Sequence, residues 1–137
     1  MFSAKLLIGS LMLFGSLATE GVVTRCFGCG KAARNECVAA RLMVPPSGTA
    51  DGDESSRYAS VACKVGYYPK GIASDFARVT IVAQALIDDC CTGQAECAGV
   101  AYDKEPDGGL NGGCVCMGAG SCQCGGGTPS SVCIDWK

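Results

Sequence analysis

The sequence contains no histidine and a single tryptophan. Without an imidazole there is no serine–histidine or cysteine–histidine nucleophile and no histidine-ligated metal. Charge is also sparse. Only 18% of the 137 residues are charged, and 11 basic against 13 acidic side chains leave a net charge of −2. Such a balance has no basic excess to hold a phosphate backbone, so nucleic acid is not an expected partner. Neither asparagine, Asn35 or Asn111, opens an Asn-x-Ser/Thr acceptor. Beyond the first 18 residues no apolar run approaches the ~20 residues needed to span a bilayer, so no membrane span is expected.

What the chain does have is cysteine, 12 in all, and glycine, 20 in all. Residues 1–18 read as a signal peptide. Lys5 supplies the positive start, Leu6 to Phe14 the short apolar core, and Ser16-Leu17-Ala18 the small residues before a cleavage point. Residues 19–137 are then expected to form a single disulfide-stabilised domain, secreted and extracellular. In an oxidising compartment an even cysteine count predicts six disulfides among Cys26, Cys29, Cys37, Cys63, Cys90, Cys91, Cys97, Cys114, Cys116, Cys122, Cys124 and Cys133. Adjacent Cys90 and Cys91 are poorly placed to bridge each other, so each is expected to seek a different partner. Spacing alone leaves the connectivity open. Cys26-Phe27-Gly28-Cys29 has the form of a redox C-x-x-C, but no predicted strand leads into it. A four-cysteine zinc site would need the same closely spaced thiolates. An oxidising compartment favours disulfides over both.

The spacing of apolar residues predicts an α+β fold, a small disulfide-rich sandwich with two helices packed on a small β-sheet. Lys31 to Met43 is rich in helix formers and ends at Pro45-Pro46. Ala33, Cys37, Ala40 and Val44 share its inner face. Ser47 to Ser56 reads as an exposed loop. Val61 to Tyr68 reads as a strand, with Val61, Cys63, Val65 and Tyr67 on one face. Asp75 to Asp89 is the clearest helix, N-capped by Ser74, its stripe traced by Phe76, Val79, Ala83, Leu86 and Cys90. Strands are expected at Cys97–Tyr102, Cys114–Met117 and Ser131–Trp136. The strand–helix–strand order from 60 to 102 suggests a parallel crossover. Thr19 to Arg25 reads as an exposed lead. The expected core is Val61, Val65, Phe76, Val79, Leu86, Ile87, Val100 and Ile134. Large apolar side chains are few, so disulfides are expected to hold the fold, and reduction to unfold it.

Three patterns invite a chemical reading. Asp103, Glu105 and Asp107, followed by Gly108, match the opening of a calcium loop, D-x-[DN]-x-[DN]-G. The match fails at its twelfth position, where Cys114 replaces the bidentate glutamate, so a solvated turn is the plainer reading and no metal or cofactor is expected. Asp88 and Asp89, with Glu96 nearby, contain the carboxylates of a glycan hydrolase, but neighbouring helical residues do not face one another. Pairing of one aspartate with Arg78 or Lys70 is the ordinary alternative. The glycines at 118, 120 and 125–127 lack the Lys-Ser/Thr of a phosphate loop. No catalytic residue is therefore assigned, and the chain is read as not an enzyme. Tyr58, Tyr67, Tyr68, Tyr102 and Trp136, with Arg57 and Lys64, are the candidate contact residues, since aromatics and arginine are enriched at binding hot spots. Tyr67 and Tyr68 must point to opposite faces of a strand.

The signal segment, the mature length, the dense even cysteines and a helix running into Cys90-Cys91 together resemble a known class. They are similar to small secreted cysteine-rich effectors of filamentous plant pathogens, including killer-toxin-like proteins. That resemblance implies a virulence role, toxin-like and extracellular, exerted by binding a target protein or cell surface. A secreted protease inhibitor or scavenger using the 103–113 loop is the alternative reading, and a carboxylate-dependent glycan hydrolase a more distant one.

Overall fold

The computed structural model describes residues 21–52, 56–69, 71–105 and 108–119. The expected signal segment, Trp136, Ile134, Lys70, Asp107, the strand at 131–136 and the cysteines at 122, 124 and 133 lie outside the described residues.

Helix and strand are mixed as expected. Five strands make the main sheet: β1 (Val22–Cys26), β4 (Ser56–Ser60), β5 (Cys63–Tyr68), β8 (Gly99–Asp103) and β9 (Cys114–Gly118). Their order is β1-β8-β9-β5-β4 and every neighbouring pair is antiparallel. Two-residue strands β2 (Ala32–Ala33) and β7 (Glu96–Cys97) form one small pair, and β3 (Thr49–Ala50) and β6 (Ser74–Asp75) another. Helix α1 (Arg34–Leu42) and helix α2 (Phe76–Leu86) complete the body, and α2 runs into a π-helical turn at Ile87–Cys91.

Sidedness of the sheet follows from strand alternation. Val65 and Tyr67 of β5, Ala101 of β8 and Val115 and Met117 of β9 pack with the inner faces of the helices. Those inner faces are Cys37 and Ala40 of α1, and Val79, Val82, Ala83 and Leu86 of α2. On the other face Val100, Cys114 and Cys116 gather Phe27, Tyr68 and Tyr102. Strand β9 is central, and all five of its residues are buried. A strand walled on both faces reads as a short apolar run rather than an alternation.

Five expectations are corrected. The 19–25 lead is in large part β1, an edge strand paired with β8 from Val22↔Asp103 to Cys26↔Gly99. The crossover strands β5 and β8 do run the same way, but they do not pair, because β9 is inserted between them. Ser74 does not cap α2. The cap is Asp75, whose carboxylate accepts the Ala77 N–H, while Ser74 is buried. Val61 is not core. It sits with Ala62 in the two-residue turn joining β4 to β5, where Ser60 pairs with Cys63. Phe76, another expected core residue, is half-buried and packs against the main cluster from its margin.

Three described disulfides tie these elements together. Cys26–Cys90 joins β1 to the π turn, Cys37–Cys63 joins α1 to the start of β5, and Cys91–Cys97 joins the π turn to β7. Cys29, Cys114 and Cys116 are disulfide-bonded as well, and among the described residues no cysteine is free. Cys90 and Cys91 do take different partners, as their adjacency demands. The wider π turn sets how the two consecutive side chains diverge, one to β1 and one to β7.

Candidate functional site

Glycine governs how closely the π turn approaches the sheet edge. A Cβ on Gly99 would lie 2.6 Å from the Arg25 carbonyl oxygen, 3.0 Å from the Cys90 sulfur and 3.2 Å from Leu86 Cδ2. Only a residue without a side chain lets β1, β8 and the π turn meet there. Beside that junction lies a cleft of about 210 Å³ lined by the Cys26–Cys90 disulfide, Phe27, Lys31, Asp89, Gln94 and Glu96. It falls below the ~300–1,000 Å³ of ordinary small-molecule pockets.

The two consecutive aspartates have separate duties. Thr24 Oγ1 donates to Asp89 Oδ2 at 2.5 Å, tying the π turn to β1. Asp88 Oδ1 accepts from Gln84 Nε2 at 3.0 Å, and Gln84 Oε1 accepts from Arg41 Nε at 2.7 Å, a relay from α2 to α1. Glu96 is on β7, exposed, and lines the cleft beside Asp89. Asp88 and Asp89 thus face different partners, and neither pairs with Arg78.

Arg78 belongs to Asp103. The Asp103 carboxylate accepts from Arg78 Nη2 at 2.5 Å and Nε at 3.0 Å, and from the Leu110 backbone N–H at 3.2 Å. Its side chain is 3% exposed against 17% for Arg78. Gly109 makes the fit possible, since a Cβ there would stand 2.7 Å from Arg78 Cγ, and its φ of +109° suits glycine. A cation at Asp103 would have to compete with this guanidinium. Glu105 is exposed, and among the described residues no group of three or more acidic or cysteine side chains is placed to hold a metal. Loop 103–113 is drawn inward, because Leu110 is fully buried and its carbonyl accepts from Ser74 Oγ at 2.7 Å.

The candidate aromatics are separated by the sheet. Tyr67 is core, its hydroxyl donating to Ser74 Oγ at 2.5 Å. Burial pushes its phenol above the ordinary value, with the Ser74 hydrogen bond opposing and the Asp51 charge adding. Tyr68 points the opposite way, as alternation required, and joins Tyr102 and Phe27 beside Cys114 and Cys116. Tyr58 is half-buried against the main core. Lys64 is half-buried opposite Ala59, and Arg57 lies on β4 opposite Gly66. Of these residues, Tyr68 and Tyr102 share one partly exposed surface.

One surface residue escaped notice as such. Val61 holds a φ of +51° at the hairpin tip. A β-branched residue in the left-handed region is a genuine outlier, and such turns usually carry Asn or Gly. The signal was present in the absence of either residue from a turn that must still be made.

No family model, curated protein or solved structure matches the chain. Among the described residues no helix is long and apolar enough to cross a membrane.

Proposed function

We propose that this chain is a secreted, disulfide-stapled binding protein of the effector or toxin-like kind. It acts outside the cell on a target protein or a cell surface, without catalysis. The observation that carries this reading is the covalent cross-linking. Three described disulfides tie α1, the π turn that continues α2, and strands β1, β5 and β7 into one body, and every described cysteine is bonded. Such staples persist in oxidising, extracellular surroundings and give a small chain rigidity that its limited apolar core does not. We read the body as a layered sandwich, helices over sheet, whose surfaces are presented in fixed geometry. Rigidity of this sort favours recognition, because little conformational freedom is lost on contact.

The test uses the oxidised full-length product. Fluorescently labelled protein applied to intact plant cells is expected to bind saturably, with unlabelled protein competing, and to lose that binding after reduction. Non-saturable binding, or binding indifferent to reduction, would end the reading.

A further inference from the structure

Strand alternation gives the main sheet a second face, opposite the helices. Val100, Cys116 and Gly66 lie abreast on it, and Tyr102, Cys114 and Tyr68 form the next row. An antiparallel face left to solvent carries polar side chains. This one carries valine, cysteine and tyrosine, and its centre is closed to water: Val100 is 4%, Cys114 2% and Cys116 0% exposed. Both helices pack on the other face, with Ala101, Val115 and Met117. Among the described residues only Phe27 joins this cluster from outside the sheet. A single ring is too small to roof three strands spaced ~4.8 Å apart.

The cysteines identify the cover. Nine are described and all are disulfide-bonded. Three bonds join six of them, which leaves Cys29, Cys114 and Cys116. Three cysteines cannot pair off among themselves. Cys114 and Cys116 are not joined to each other, since their sulfurs are 3.8 Å apart against the ~2.05 Å of a disulfide. Cys29 sits at the opposite end of β9 from Cys114. The Ala119 N–H donates to the Gly30 carbonyl at 2.8 Å, and Cys114 lies about 13 Å back along the strand. The other cysteines of the chain are Cys122, Cys124 and Cys133, also three in number. Residues 120–137, which hold them, continue directly from Ala119, beside Cys29. Gly120 and Gly125 to Gly127 give that segment high chain entropy, so cross-links hold it where contacts alone would hold it poorly.

We propose that residues 120–137 fold back over this face as its cover. Three disulfides bolt them there, each joining one of Cys29, Cys114 and Cys116 to one of Cys122, Cys124 and Cys133. Tyr68 and Tyr102 then pack against the protein's own chain, and the face is closed to an outside target. In the test, the oxidised full chain is cleaved after Met117 with cyanogen bromide and after Lys and Arg with trypsin, without reductant. The joined peptides are read by mass spectrometry with electron-transfer dissociation. Peptide 118–137 is expected to carry three bonds, one to Cys29 in peptide 26–31 and two to Cys114 and Cys116 in peptide 105–117. A bond within 118–137, a free thiol in it, or a bond from Cys29 to Cys114 or Cys116 overturns the proposal. Seating is read separately, by nuclear Overhauser contacts in the isotope-labelled full chain. Val100 methyl and Tyr102 ring protons are expected to contact protons of residues 120–137. With the three bonds in place but no such contact, the segment is tethered without covering the face, and the proposal fails. Neither result depends on whether the protein binds cells.

Discussion

Removing the disulfides one pair at a time should rank them by the chain each closes. Cys26–Cys90, Cys37–Cys63 and Cys91–Cys97 are separated by 64, 26 and 6 residues. Loop-closure entropy then assigns them about 4.3, 3.5 and 2.2 kcal/mol respectively at room temperature. The second loop is nested inside the first. With Cys37–Cys63 closed, the outer loop shortens to about 40 residues and its contribution falls to about 3.9 kcal/mol. Paired Cys→Ala variants, unfolded in guanidinium chloride without reductant, would read these differences. Packing loss predicts another order, because Cys91 and Cys97 are buried whereas Cys26 is exposed. If the Cys91–Cys97 variant loses as much stability as the Cys26–Cys90 variant, restriction of the unfolded chain is not what these bonds contribute. An order that follows loop length has no explanation in cavities.

Two further perturbations probe the polar interior. Asp103→Ala removes two charge-assisted bonds to the half-buried Arg78 guanidinium and releases the Leu110 N–H, so equilibrium unfolding should show a loss of about 1–3 kcal/mol. A loss below ~1 kcal/mol would mean that the pair behaves like one exposed to solvent. Tyr67→Phe removes the donor to Ser74 and should cost about 1–2 kcal/mol at neutral pH. Its raised pKa means that the folded state holds this proton more tightly than the unfolded state. Stability from that source is complete below the ordinary value of 10.0 and is lost as pH climbs above it. Alkaline denaturation followed by tyrosinate absorbance should therefore be less steep in Tyr67→Phe, and an unchanged profile would refute the assignment.

Periodic segments were legible in the sequence, and pairing was not. Helix α2 announced itself through Phe76, Val79, Ala83, Leu86 and Cys90, and the Cys63–Val65–Tyr67 alternation named the inner face of β5 correctly. Strand β4 was hidden because its residues, SRYAS, include only Tyr58 and Ala59 as apolar side chains and show no alternation, and because the Val61-Ala62 turn lacks the Asn-Gly chemistry that marks hairpins. Strand β1 was hidden as an edge, where burial on one side leaves little apolar pattern. The insertion of β9 between β5 and β8 depends on contacts far apart in the chain, which no local periodicity carries. Asp103 illustrates the same gap at the level of a side chain. Its spacing to Glu105 and Asp107 suggested a cation loop, whereas its partner, Arg78, lies 25 residues upstream on another element.

The central position of β9 has a consequence for biosynthesis. A ribosome delivers the four flanking strands before the one that separates β5 from β8, so the emerging polypeptide has a gap in the middle of its sheet until residue 118 appears. Hairpin and helices can form locally, but the interior stays open to water until β9 fills the gap. Cooperative closure of the sheet therefore waits for β9, the last of its five strands to emerge.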